Sequence, residues 1–252
     1  MSKIEAFSSL LQNVVRAVQK GTGEDVKEYL RNTNQETYNG LKFQRADFIN
    51  TNLRDSVVAD AIELMKFNRS SWQGCLIIDR DHKITMTIMT EQTLKAIPRK
   101  KNRRIPHYLQ TILFVQNADL EAPIKQLSIT DLYEDEITVF NEEEYKDDYK
   151  CIMEDEINYD DGYCHYVVVY KHEGTTITDI KLKLLDKDCD TVQEYSLMEM
   201  LQPDFGSLTM YEEVDEHKTV RDLVLVKGME KKSEAGKHLG IVAKIQEEKE
   251  KA

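Results

Sequence analysis

The chain has 252 residues, a formal net charge of −12 and a pI near 5.1. That length holds one large or two small domains, and 40% hydrophobic with 8% aromatic residues excludes a disordered acidic chain. No stretch approaches the ~20 consecutive apolar residues of a membrane span, and the start lacks the apolar core and cleavage site of a secretory signal.

Ser2 and Glu5 form an S-x-x-E capping box, and Ile4, Phe7, Leu11, Val14 and Val18 repeat at spacings of three and four. A helix is predicted there, stopping at Lys20-Gly21. A short helix follows over Glu24 to Leu30, with Thr22 as its cap. A third begins near Asn50 to Asn52, its apolar face being Leu53, Val57, Ala61 and Leu64. The period then changes. An apolar run from Gly74 to Asp79, a polar turn, and alternation at Ile84, Met86 and Ile88 predict a β-hairpin. Thr90 caps a short helix through Ile97, and His107 to Val115 reads as a strand.

From 131 to 161 the chain carries 14 Asp and Glu against Lys146 and Lys150. Ile137, Val139, Phe140, Tyr145, Tyr149, Ile152 and Met153 in that span make it short strand and helix pieces with one solvated face. A second hairpin joins Tyr163–Tyr170 to Ile180–Leu184 through Glu173-Gly174. A strand near Val192 to Tyr195, a brief helix capped by Ser196 and Glu199, a strand over Val220 to Val226 and a charged tail complete the chain. The expected fold class is α+β, with N-terminal helices packed on a mainly antiparallel sheet built from hairpins. The regions are a helical 1–70, a sheet region 71–228 with the acidic insertion 131–161, and a tail 229–252, together one compact domain.

Most catalytic motifs fail. Gly21-Thr22-Gly23 begins a G-x-G without the third glycine or a preceding strand, and no G-x-x-x-x-G-K-[ST] exists. Asp186, Asp188 and Asp190 have the spacing of a calcium loop but lack its glycine and its bidentate glutamate, so turn chemistry explains them. Cys75, Cys151, Cys164 and Cys189 fit no zinc pattern and read as reduced thiols of a cytoplasmic protein. His165 and His172, within one hairpin, read as structural. A metal-dependent nuclease needs its carboxylate and lysine alternating on one strand. Glu91 and Lys95 are instead spaced as an i,i+4 helix pair. No cofactor and no metal is expected.

Six of the ten residues from Lys95 to Arg104 are basic, in a segment bounded by Pro98 and Pro106 and followed by His107 and Tyr108. Arginine forks bind phosphate bidentately and lysine adds point charge. Arg99, Lys100, Lys101, Arg103 and Arg104 are therefore candidate contacts to RNA or DNA, with Tyr108, Tyr38 or Trp72 available to stack on bases. His107 beside two arginines is a candidate acid or base for RNA cleavage. The basic segment has a second reading, in which it pairs with the acidic span within the protein or a homo-oligomer.

The run Trp72 to Asp79, the hairpin after it and the segment Lys100 to Leu113 resemble an uncharacterised family of small bacterial proteins. Ile180 to Asp186 and Gln202-Pro203-Asp204 are similar to it too. The resemblance covers most of the chain. It implies a bacterial or phage origin, assigns no activity and carries over no catalytic residue. Two functions are therefore weighed. One is a cytoplasmic nucleic-acid-binding protein of the toxin or phage-defence kind. The other is a non-enzymatic module or inhibitor whose acidic face, with Glu142, Glu143 and Glu144, meets a basic protein.

Overall fold

A computed structural model describes residues 5–57, 61–69, 72–98, 103–123, 140–154 and 156–203. Six strands form one sheet in sequence order: β1 Ile62–Arg69, β2 Trp72–Asp79, β3 Ile84–Thr90, β4 Cys164–Glu173, β5 Thr176–Leu185 and β6 Thr191–Ser196. All neighbours are antiparallel except β3 and β4, which run parallel. A parallel pair cannot be joined by a tight turn and needs a crossover. The chain between Thr90 and Cys164 supplies it and carries α4 Glu91–Ala96, α5 Tyr108–Gln116 and α6 Glu142–Met153. The architecture is α+β, as expected, with α1 Ser8–Thr22, α2 Glu24–Asn32 and α3 Leu41–Val57 preceding the sheet. No described helix is long and apolar enough to cross a membrane.

Each sheet face carries its own core. On one face, Leu11, Val14 and Val18 of α1 and Ile49 and Leu53 of α3 pack on Ile77, Met86, Val168 and Leu182. On the other, Leu109, Ile112 and Leu113 of α5 and Tyr149 and Ile152 of α6 pack on Phe67, Leu76, Ile78, Val167 and Val169. Alternate residues of one strand thus feed opposite layers. The second helical layer corrects the expectation of a strand at His107 to Val115. Its apolar residues, interrupted by Gln110 and Thr111, fit a buried strand or a buried helix equally. The ends decide: His107 Nδ1 accepts from Leu109 N at 3.2 Å, and Gln110 Oε1 accepts from His107 N at 3.3 Å, a reciprocal cap.

The third helix starts at Leu41 rather than near Asn50, and it ends at Val57. Ile62 and Leu64 belong to β1 and pack toward α1 and α3, while Met65 and Phe67 face α5 and α6. That period of two takes the place of the helical face predicted through Leu64. Ser2 lies outside the described residues, as do Val220 to Val226 and the tail. α1 begins in a 3₁₀ turn at Glu5–Phe7. Thr90 caps α4 as expected, its hydroxyl accepting from Thr93 N at 3.2 Å. The cap of α2 is Gly23, not Thr22. Leu197 stands at the cap position of the 3₁₀ turn Met198–Met200, and Ser196 Oγ accepts from Met198 N at 3.4 Å.

α1 runs past the expected stop and includes Gly21, because α3 crosses it there. A Cβ on Gly21 would stand 2.7 Å from Ile49 N and 2.9 Å from Ile49 Cα. Those are backbone atoms, which cannot turn aside. Gly21→Ala adds helix propensity of roughly 0.5–1 kcal/mol but forces α1 and α3 apart. A net loss of about 1–3 kcal/mol is expected in urea unfolding. An unchanged midpoint would show that the crossing can open without cost.

Candidate nucleic-acid interface

The basic segment joins α4 to α5. Arg99, Lys100 and Lys101 lie outside the described residues. Arg104 is exposed, as is the neighbouring Ile105. Arg103 is half-buried: it donates to Ile97 O at 3.1 Å and to Gln110 Oε1 at 3.0 Å. It thereby clasps the two ends of the segment, and burial lowers its pKa. Lys95, at the other end, pairs with Glu91 at 3.2 Å, the helix-neighbour geometry read from the spacing.

Tyr108 is not an exposed stacking ring. It is 9% exposed, and burial raises its phenol pKa well above the ordinary range. Its role is a platform. Trp72 stacks on it with centroids 5.2 Å apart and planes at 20°, and Phe67 lies against both rings. Gly74 makes room for this, since a Cβ there would meet the Phe67 ring at 2.3 Å. Trp72, the chain's single tryptophan, keeps 38% of its surface open. His107 lies 4.3 Å from Tyr108, ring to ring. Because its Nδ1 accepts from Leu109 N, the neutral ring carries its proton on Nε2 and serves as a helix cap.

The acidic span is the helix α6 and the 3₁₀ turn Tyr159–Asp161, within the described residues. Asn141 caps α6, accepting from Glu144 N at 2.9 Å, while Glu144 Oε2 accepts from Asn141 N at 2.8 Å. Glu142 pairs with Lys146 at 2.5 Å, and Glu143 is exposed. Two of the three acidic candidates therefore serve their own helix, where negative charge at the first turn also meets the positive end of the helix dipole.

A residue that sequence reasoning passed over links the two charged regions. Arg69, at the end of β1, forms an ion pair with Asp148 of α6 and donates to Pro106 O beside the basic segment. Thr111 of α5 donates to the same carboxylate. Among the described residues, the acidic span is thus neutralised at this point by a strand arginine. Arg69 and Asp148 are 79 positions apart in the chain, and nothing in their local sequence marks the pairing.

Asp186 behaves as turn chemistry requires, accepting from the backbone of Asp188, Asp190 and Ala122. Comparison with curated proteins and with solved structures returns no match. A family model does match, over residues 4–244, and the chain belongs to that family, one of unknown function (DUF5986).

Proposed function

We propose that the protein binds single-stranded nucleic acid, RNA or DNA, through the basic segment 95–104 and Trp72, with little dependence on sequence. The observation behind this reading is the half-open Trp72 ring, held flat by buried Tyr108 at the foot of α5, which the basic segment enters. An aromatic face beside a phosphate-binding stretch is the usual means of holding unpaired bases. Arg104 and the segment before it supply charge, while Arg103 holds the segment's ends together. Strongly salt-dependent affinity follows from phosphate contacts.

Trp72 is its own reporter. Titration with a short single-stranded oligonucleotide at low salt is expected to quench its fluorescence. Trp72→Ala should weaken binding by about 1–3 kcal/mol in a gel shift, and Arg104→Glu should weaken it and flatten the salt dependence. Wild-type protein that binds neither RNA nor DNA at low salt would end this reading.

A further inference from the structure

Away from Trp72, an open groove of about 870 Å³ runs between α4 and the β4–β5 hairpin. Lys95, Lys171, Glu91 and Glu173 supply its charged lining, with His172 and Tyr170 beside them. Glu91 is shared: its carboxylate lies 3.2 Å from Lys95 Nζ and 3.1 Å from Lys171 Nζ. One carboxylate thus serves two ammonium groups. The β4–β5 ladder also slips between Lys171 and His172, and such bulges re-aim the side chains around them.

Behind His172 lies Arg45 of α3. It is 7% exposed, and burial lowers its pKa. One of its terminal nitrogens donates to His172 Nε2 at 3.2 Å and the other to Gly174 O at 3.1 Å, while its Nε–H has no acceptor. Among the described residues no carboxylate pairs with it. A buried guanidinium without a counter-charge is costly. Its donation to Nε2 also holds His172 in the neutral form, so the histidine adds no charge of its own. Counting Arg45, three cations stand against two carboxylates around the groove. Arg45 acts on the groove by its field through a low-dielectric wall, and Lys95 and Lys171 act by contact.

We propose that this groove binds a phosphomonoester of about mononucleotide size, with Lys95 and Lys171 donating to the phosphate and Glu91 competing with it for them. The site goes beyond the single-strand reading and does not need Trp72. Two sources share this chemistry, a free mononucleotide and the phosphorylated end of a nucleic acid.

Calorimetric titration with AMP, and with a 5′-phosphorylated hexaribonucleotide against its 5′-hydroxyl form, tests this. AMP should bind the wild type. Lys171→Gln, at a half-exposed side chain, should weaken it about tenfold, the loss of one charge-assisted hydrogen bond. Glu91→Gln should strengthen it several-fold by freeing both lysines. Opposite signs are the signature, since two variants that merely loosen the groove would both weaken binding. A hexamer that gains affinity from its 5′-phosphate, with the gain lost in Lys171→Gln, assigns the phosphate to a nucleic-acid end. AMP binding without such a gain assigns it to a free nucleotide. Wild-type protein that binds neither AMP nor the 5′-phosphate, or AMP affinity equal in all three proteins, overturns the site whether or not Trp72 is quenched.

Discussion

Asp148→Ala is expected to cost about 3–5 kcal/mol of folding stability, the size typical of stranding one partner of a desolvated ion pair. The side chains of Arg69 and Asp148 are only 14% and 10% exposed, so water cannot replace the missing carboxylate well. The loss reaches further than one pair. Asp148 also accepts from Thr111, and Arg69 also holds Pro106 O. The carboxylate therefore joins α6, α5, β1 and the approach to the basic segment. Urea unfolding should show the full cost for Asp148→Ala and for Arg69→Ala, but much less than their sum for the double variant, because the second change removes a charge already stranded. A double variant whose loss equals the sum would mean that the two groups act independently. At the interface, the single variants should also weaken oligonucleotide binding, since Arg69 no longer fixes the entry to α5.

Where local signals agree with tertiary demands, the chain was legible. In the hairpin, the apolar run ending at Asp79 and the alternation of Ile84, Met86 and Ile88 flank a polar turn, the turn before Thr176 holds Gly174 at φ 57°, and Thr90 marks the start of α4. Where an element is buried on every side, periodicity stops discriminating. Tyr108 to Val115 is apolar apart from Gln110 and Thr111, and the reciprocal cap of His107 and Gln110 marks it as a helix. The same burial explains the platform role of Tyr108. A tyrosine after six basic residues reads as exposed until Phe67 and Trp72 arrive from another strand. Long-range charge partners were invisible for a different reason. Arg69 with Asp148, and Arg45 with His172, meet only because α6 packs beside β1 and α3 reaches the β4–β5 hairpin. The basic segment itself was found by composition alone, since clustered charge needs no partner to be seen.

The second large effect is a loss of stability on mild acidification, centred on His165. The ring, on β4 beside β3, is fully buried. Thr85 donates its hydroxyl to Gln116 Oε1, which leaves Thr85 Oγ1 to accept from His165 Nδ1 at 2.7 Å. Thr87, 3.0 Å from Nε2, then supplies the hydrogen to that nitrogen. The neutral ring is satisfied on both sides, and a second proton would have to face the Thr87 hydroxyl in a dry interior. Burial accordingly pushes the His165 pKa down to about 3. The unfolded chain takes up this proton near pH 6.5 and the folded one does not, so stability is complete above 6.5 and falls as pH drops below it, until about 3. The slope is about 1.4 kcal/mol per pH unit, or roughly 2 kcal/mol between pH 7 and pH 5. His172 shifts in the same direction through burial and the Arg45 charge, so His172→Gln is the control that isolates the larger part. In urea unfolding, His165→Gln should be less stable at pH 7 yet lose most of the dependence between pH 7 and pH 5, while His172→Gln keeps most of it. If His165→Gln retains the wild-type slope, the buried threonine–histidine ladder is not what makes the fold sensitive to acid.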